Sequence, residues 1–454
     1  MVLSAFGCRP GHHPSTPGRS ATRLRTQDDV MTAPPITIDE QDLVATLVDL
    51  VSFASIGGST DEHRIQEHLA DIWDREGLAV DRWQVDLRTL ASDPGFPGME
   101  VERGGCTGVT ATWTGVGGGP TLLIDGHTDV VPPGDIAAWS ADPFKARVVA
   151  GEHGPIVAGR GTCDMKGGLA SAMAAVRALR AQGVRLRGDV VLAPVSGEED
   201  GGVGTFALLR ELDRRGVTPS ACVIPEPTNL DIVPANGGAL TFRLRVPGRA
   251  AHASRRTEGV NAVTALQPVL TALSDLETRR NTPVDPLMQR WPIAYPISVG
   301  VVRSGDWAST VPDLLIAEGR YGVALGEPSS AAREVFEAAI AEACAGDPWL
   351  RDHPVEVQWW GGQFESGHTR VDAPLVEVVR TAHHQHMNRL PEVYGAPYGS
   401  DLRLLAPRMA TVQYGPGDSA LAHSPAESVP VAQLIECART LALTMIAVCG
   451  AATD

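Results

Sequence analysis

Ile124-Asp125-Gly126-His127-Thr128-Asp129-Val130-Val131-Pro132 is the stretch around which this chain is organised. The apolar run from Thr121 to Ile124 ends abruptly in its His-x-Asp motif. The pattern predicts a buried strand that ends at an imidazole, with a carboxylate two residues further on. A metal-bound histidine usually donates its second ring N–H to such a partner. A single motif of this kind also suits a hydrogen-bonded structural histidine, so the assignment depends on the other segments.

The composition is that of a soluble globular protein with more than one domain. At 454 residues the chain exceeds the usual size of one hydrophobic core, so two domains are expected. Hydrophobic residues make up 43% and charged residues 20% of the chain. The net charge of −16 argues against nucleic acid and anionic membranes as partners. No apolar run reaches the roughly 18 residues that span a bilayer.

Cysteine usage and the N-terminal segment bear on the compartment. Seven cysteines are scattered along the chain without a CxxC motif, which favours a reducing compartment, the cytoplasm, and free, mostly buried thiols. The N-terminal segment is rich in Arg, Ser, Pro and His and lacks the continuous apolar region of a signal peptide. We expect residues 1–35 to be disordered or to reflect a mis-called start, with Met31 as the natural first residue.

Strands and helices alternate along most of the chain. This order predicts an α/β domain with a mixed, mainly parallel sheet and helices on both faces. After Ala235 the order becomes strand–helix–strand–strand–helix–strand, which is that of a ferredoxin-like α+β domain. Because the first pattern resumes afterwards, this second domain is inserted. The predicted limits are 36–236 and 366–454 for the sheet domain and 237–365 for the inserted domain.

Four further loops carry acidic or imidazole side chains next to predicted strands or helices. Taken singly, an Asp at the start of a helix suits an N-cap, and an acidic run suits a solvated turn. Ligands of parallel sheets bind beyond the carboxyl ends of the strands, so we expect these groups to converge with His127. Two imidazoles and three carboxylates suit a pair of divalent ions, zinc most simply, and a further carboxylate can act as base. The residues are Asp164, Glu198, Glu199, Glu226 and His423.

The set and order of these motifs resemble those of a known family. HTDVVP, GTCDMKGG, SGEEDGG, EPT and AHSP follow one another between about residues 40 and 450. The chain is similar to the dinuclear zinc metallohydrolases, zinc-exopeptidase-like in fold, that include acetylornithine deacetylase, succinyl-diaminopimelate desuccinylase, aminoacylase and glutamate carboxypeptidase. The resemblance implies a homodimeric hydrolase of amide bonds with two Zn²⁺ per subunit, for which Co²⁺ or Mn²⁺ are alternatives.

The resemblance also implies a role for each residue of the set. Asp164 would bridge the two ions, and the peptide bond that follows it would be cis. Asp129 would orient His127. Glu198 would be the general base that takes a proton from the bridging water and passes it to the leaving nitrogen. The two ions would be held, one by His127 and Glu226, the other by Glu199 and His423.

Two loops carry further implied roles. The segment 248–254 is similar to the family's lid motif, whose histidine, here His252, acts in a neighbouring subunit and stabilises the oxyanion. The loop 399–403 is similar to one whose arginine, here Arg403 next to Asp401, binds a substrate carboxylate. A surface ion pair between Asp401 and Arg403 is the alternative.

The predicted lid departs from the family in one segment. The family usually has Asn three residues before the Val-Pro of the lid, and this chain has Ser309-Thr310-Val311-Pro312 instead. Arg320 would take the place of the arginine that commonly follows, although the spacing is about two residues short. These substitutions bear on the acyl group and the amine that are recognised. The cluster His383-His384-Gln385-His386 is interpreted as a solvated helix end.

The leading hypothesis is a metal-dependent amidohydrolase, deacetylase- or desuccinylase-like, that acts on a small N-acyl amino acid or N-acyl amine. A dipeptidase or carboxypeptidase, a carbamoyl-amino-acid hydrolase and a deformylase of an N-formyl heterocycle are alternatives within this class. A non-catalytic descendant that binds metal or amino acid is the alternative from another class. The presence of Glu198 argues for catalysis, because a protein that only binds metal does not need the base.

Overall fold

The computed structural model describes residues 35–452, in which strands and helices alternate. The prediction for the N-terminal segment therefore lies outside the described residues, apart from residue 35 itself. The strands, in chain order, are β1 (Ala79–Gln84), β2 (Thr107–Trp113), β3 (Leu122–His127), β4 (Arg147–Gly151), β5 (Gly154–Ala158), β6 (Val190–Val195), β7 (Ala221–Ile224), β8 (Ile232–Asn236), β9 (Gly238–Pro247), β10 (Ala251–His252), β11 (Ile297–Ser304), β12 (Thr310–Val311), β13 (Leu314–Val323), β14 (Glu356–Phe364), β15 (Gly367–His368), β16 (Val393–Ala396), β17 (Ala410–Gln413) and β18 (Ser428–Pro430). The helices are α1 (Glu40–Val51), α2 (Thr60–Arg75), α3 (Leu87–Ala91), α4 (Lys166–Ala181), α5 (Val203–Arg215), α6 (Ala262–Ala265), α7 (Gln267–Arg280), α8 (Ser329–Gly346), α9 (Pro374–Met387), α10 (Leu402–Leu405) and α11 (Val431–Cys449).

The central sheet has the strand order β1-β2-β6-β3-β7-β17-β8-β15, with β16 paired to β8. Its middle, β6-β3-β7-β17, is parallel, and β1, β2 and β15 add antiparallel pairs at its sides. All six positions of β3 are buried, as expected for a parallel strand that is covered on both faces. The mixed, mainly parallel sheet predicted from the sequence is confirmed.

Helices cover both faces of this sheet because successive strand residues point to opposite sides. Leu122 and Ile124 of β3 belong to the core formed with α1, α2, α4, α9 and α11. Leu123, between them, packs with α5 and α10 on the other face. The helix α11 is long and apolar enough to cross a membrane by length and composition alone, but 72% of its most apolar window is buried inside the protein.

A second sheet, β11-β13-β9-β14, is antiparallel and has its own apolar core. Leu240, Phe242, Leu244 and Val246 alternate along β9 and are all buried, beneath α7 and α8. The order β9-α7-β11-β13-α8-β14 is the predicted strand–helix–strand–strand–helix–strand order. Single short links join this sheet to the central one, at residue 237 after β8 and at residues 365–366 before β15. The predicted domain limits remain a prediction.

Two expectations about single side chains have different outcomes. The six cysteines within the described residues are free and buried, as predicted. The prediction that the histidine cluster of α9 is solvated is wrong for His383, which is fully buried and lies 2.8 Å from the hydroxyl of Tyr414. The reason is that His383 faces α11 and β17, where Tyr414 in turn contacts Thr440.

Candidate active site

His127 ends β3 and is fixed by two different bonds. Its Nδ1 lies 2.9 Å from the backbone oxygen of Asp129, and because a carbonyl only accepts, this ring nitrogen carries the proton. The Nε2 atom donates as well, because the hydrogen bond to Asp164 and the neighbouring acids raise the pKa of His127 well above its ordinary value although burial opposes the charge. It lies 3.0 Å from Oδ1 of Asp164 and 3.9 Å from Oε1 of Glu226. A neutral ring with its proton on Nδ1 would instead direct the Nε2 lone pair at a cation held by the same acids.

Asp164 stands in the loop between β5 and α4, and Glu427 holds this loop from behind. One oxygen of the buried Glu427 accepts from the backbone N–H groups of Gly161, Cys163 and Asp164 at 2.8, 3.1 and 3.2 Å. The peptide bond between Asp164 and Met165 is cis, as the resemblance implied. The antiparallel pairing of β18 with β5 brings Glu427 to this position.

Glu198 and Glu199 follow β6 directly, at the carboxyl end of the strand next to β3. Their backbone N–H groups donate to the two carboxylate oxygens of Asp129 at 3.3 and 3.2 Å. The Asp129 carboxylate is 3.8 Å from the ring of His127. Asp129 therefore orients His127 through its backbone oxygen, while its side chain fixes the loop of Glu198 and Glu199.

Glu226 follows β7, and His423 lies in a loop before β18 in a left-handed conformation with φ of 60°. The Nε2 of His423 is 3.1 Å from Glu199 and 3.4 Å from Oδ2 of Asp164. Two groups of candidate metal ligands result, and the ligand atoms of each lie within 4.8 Å of one another. They share Asp164 and are His127, Asp164, Glu226 and Asp164, Glu199, His423.

The electrostatics of the site show an excess of acid. Burial, and then the neighbouring carboxylates, raise the pKa of Glu198 and of Glu226 well above the ordinary value. The hydrogen bonds that His423 donates to Asp164 and Glu199 raise the pKa of His423 to about 11. Two imidazoles cannot neutralise four clustered acids, so the oxygen and nitrogen donors present fit divalent cations.

A cavity of about 260 Å³ opens beside these residues. Glu198, Glu199 and His423 form one side of it, and Arg320, Phe364 and Tyr398 form part of the other. The structure thus brings Arg320 of β13 to the same cavity as Glu198. The cavity also lies between the two sheets, because Phe364 belongs to β14 and Tyr398 follows β16.

Arg403 and Asp401 lie behind this cavity. Arg403 is 6% exposed and donates to the backbone oxygens of Ser400 and Gly201, at 2.9 and 2.6 Å. Asp401 is buried and accepts from Thr205 at 2.6 Å. The alternative of a surface ion pair is wrong because both side chains are buried. The expected contact of Arg403 and Asp401 with substrate stays a prediction.

His252 and Ser309 lie on a separate exposed ribbon. His252 belongs to β10, which pairs with β12, and the backbone oxygen of Ser309 accepts from Ala253 at 2.8 Å. The ring of His252 contacts Ser254 at 2.8 Å. Among the residues that line the described cavity, neither His252 nor Ser309 occurs. The structure of one chain therefore does not bring them to the candidate metal ligands.

Several supporting residues had no recognised sequence signal. Arg103 binds Asp200, the residue after Glu199, at 2.7 and 2.9 Å and also binds Glu62 of α2. Glu427 comes four residues after His423, and its closeness to this last motif is the one feature of the sequence that could have pointed to it. For Arg103 the chain offers no such signal, because 97 residues separate it from Asp200.

The fold and the two ligand groups suit the class of metal-dependent hydrolases of amide bonds. The model of Peptidase family M20/M25/M40 matches residues 123–447, which is more than half of the chain. The chain belongs to this family.

Relatives of known name agree with this class. A succinyl-diaminopimelate desuccinylase of Gluconacetobacter diazotrophicus is 40% identical over 168 residues, 36% of this chain and 41% of that enzyme. The chain thus aligns with less than half of that desuccinylase. N-formyl-4-amino-5-aminomethyl-2-methylpyrimidine deformylase of Bacillus subtilis is 26% identical over 413 residues, 85% of this chain and 89% of that enzyme. The crystal structure of human carnosine dipeptidase 1 has the same fold, with a TM-score of 0.71, 16% identity, and coverage of 90% of this chain and 96% of that one.

Proposed function

We propose that the protein hydrolyses the amide bond of a small N-acyl amino acid or N-acyl amine. Two divalent ions, zinc most simply, and Glu198 as general base would carry out the reaction. The observation that carries this proposal is the pair of ligand groups that share Asp164, with Glu198 in the adjoining cavity.

Each acid and imidazole of the site has a part in this proposal. His127 and Glu226 would hold one ion, Glu199 and His423 would hold the other, and Asp164 would contribute to both. Bound ions of this kind lower the pKa of water and polarise a carbonyl. Glu198 belongs to neither ligand group and is buried beside them, so it accepts the proton of the attacking water and delivers it to the leaving nitrogen.

We further propose a homodimer in which His252 acts on the partner's substrate. His252 is exposed and outside the cavity of its own chain, as a residue that acts in a second subunit would be. Exposed apolar side chains of the second sheet and its loops support an interface there: Val302 is 53%, Trp307 72% and Leu314 37% exposed. Ser309, next to this ribbon, would then contact the partner's substrate.

A second candidate is the removal of a formyl group from a neutral amine. It is favoured by the similarity to the deformylase, which extends over 85% of this chain. Both candidates share the ligands, the base and the amide chemistry, and they differ in the acyl group. The six buried free thiols support a reducing compartment, and we propose the cytoplasm.

The test is amine release from N-acetyl, N-succinyl, N-formyl and N-carbamoyl amino acids and amines, with and without a chelator. Turnover that a chelator abolishes and zinc restores is expected for at least one series. Glu198→Ala should retain its metal and lose about 10²–10⁴-fold in turnover. The exposed Glu102→Gln is the control, since it removes one acid away from the ligands. A metal-loaded protein that turns over none of these compounds would be a binding protein instead.

A further inference from the structure

Glu100 lies on the loop between α3 and β2. This loop packs between the loop of Glu198 and the second sheet. The backbone N–H groups of Glu100 and Val101 donate to the carboxylate of Asp200 at 3.0 and 2.7 Å. On its other side the loop accepts from the N–H of Gln363 at the oxygen of Pro97, at 3.0 Å. The position of Glu100 is therefore fixed relative to both walls of the cavity.

The Glu100 side chain points at the second sheet and binds three of its strands. Its Oε1 accepts from the hydroxyl of Thr241 on β9 at 2.8 Å and from the N–H of Gly362 on β14 at 3.2 Å. The same oxygen lies 3.0 Å from Nη2 of Arg320 on β13. Two neutral donors, Thr241 and Gly362, therefore fix the Glu100 carboxylate in the position from which it pairs with Arg320.

Among the described residues that line the cavity beside Glu198, Arg320 is the only lysine or arginine. Its Nη2 pairs with Glu100, and its Nη1 is enclosed without a hydrogen-bond partner among the described residues. Arg403 offers no substitute, because its guanidinium donates to backbone oxygens. The wall opposite the candidate metal ligands therefore carries a cation whose charge is already balanced.

We infer that Glu100 is a specificity-determining residue that makes this cavity select an uncharged group against Arg320. A substrate carboxylate placed there would meet an ion pair rather than a free cation and would add an uncompensated negative charge. An uncharged carbonyl or ring nitrogen accepts a hydrogen bond from the guanidinium without this cost. The inference rests on the proposed amide hydrolysis, and within it favours neutral N-acyl amines over substrates with a carboxylate at this position.

The test compares substrates that differ by one carboxylate. On the amine side the pair is N-acetyl-L-phenylalanine and its carboxamide; on the acyl side it is N-succinyl- and N-butyryl-benzylamine. We expect the wild-type protein to have the higher kcat/KM for the neutral member of at least one pair. Glu100→Gln keeps an oxygen for Thr241 and Gly362 but removes the charge. It should shift that ratio toward the carboxylate by about tenfold or more, mainly through KM, because a freed arginine makes a charge-assisted bond.

Glu102→Gln is the matched control, because Glu102 is exposed, lies two residues away and removes the same charge. A ratio that shifts in Glu100→Gln and not in Glu102→Gln supports the inference. A wild-type preference for the carboxylate in both pairs, an unchanged ratio, or an equal shift in both variants would overturn it while amide hydrolysis stands. A metal-loaded wild-type protein that hydrolyses neither member of any pair, nor any compound of the wider panel, would overturn the proposed function and this inference with it.

Discussion

Replacement of Arg103 by alanine tests whether the loop that carries Glu198 depends on one buried cation. Arg103 is 7% exposed, and its guanidinium donates to both oxygens of Glu62 and both oxygens of Asp200. Arg103→Ala would leave two buried carboxylates without their partner. Asp200 adjoins Glu199, so the loss should disturb the candidate base and ligand as well as the fold.

The expected magnitude follows from burial. Removing one partner of a buried ion pair typically costs about 3–5 kcal/mol of the free energy of unfolding. Here two carboxylates lose the same partner, and burial together with Asp129 already raises the pKa of Glu62 to about 7 with Arg103 in place. Asp200 keeps two backbone donors, which limits its share of the loss. We expect a loss in the upper part of that range.

Urea unfolding at neutral pH measures this loss, with Arg64→Ala as the control. Arg64 forms an ion pair with Asp61 of the same helix, but its side chain is 63% exposed, so its removal should cost less than about 1 kcal/mol. The kcat of folded Arg103→Ala should also fall, whereas that of Arg64→Ala should not. If the two variants lose equal free energies of unfolding, the reasoning about the buried cation is refuted.

Two further predictions concern histidines, the buried His383 and the exposed His252. Burial lowers the pKa of His383 to about 4, so the unfolded chain binds more protons between pH 4 and 6.5, and stability should fall as the pH drops through this window. Between pH 7 and pH 5 the wild type should lose about 2 kcal/mol more than His383→Gln in paired urea titrations, and equal losses would contradict this. If His252 acts across subunits, a re-equilibrated mixture of His252→Ala and Glu198→Ala should regain about a quarter of the wild-type activity in hybrid dimers. A mixture no more active than its components would place His252 outside the partner's site.

The sequence predicts the elements and the meeting of the motifs because both follow from local patterns. The apolar run before His127 predicts β3, which is buried at every position. The rule that parallel strands present their carboxyl ends at one edge then predicts that Glu199 and Glu226 lie near His127, although they are far apart in the chain. In the structure, Nε2 of His127 and Oε1 of Glu226 lie 3.9 Å apart.

What the sequence does not predict are the contacts that depend on long-range packing. Spacing alone does not reveal that His127 bonds to the backbone oxygen of Asp129 while the Asp129 carboxylate holds the loop of Glu198. The burial of Arg403 behind the cavity depends on Phe364, 39 positions earlier, whose ring lies 3.9 Å from the guanidinium.

The buried acids of this protein allow an argument from charge balance. Two buried carboxylates next to the site have a cationic partner: Arg103 donates to Asp200, and Arg160 donates to Glu427. The hydroxyl of Thr205 contacts two buried carboxyl groups, those of Asp125 and Asp401, but has a single hydrogen to donate. One of the two must therefore carry its own proton, in line with the raised pKa of Asp125. The acids near the shared carboxylate have only two imidazoles between them. Divalent cations bound at this place would supply the missing positive charge. Four acids share these imidazoles. Burial raises the pKa of Glu198, Glu199 and Glu226, whereas the two histidines lower the pKa of Asp164 although burial opposes this.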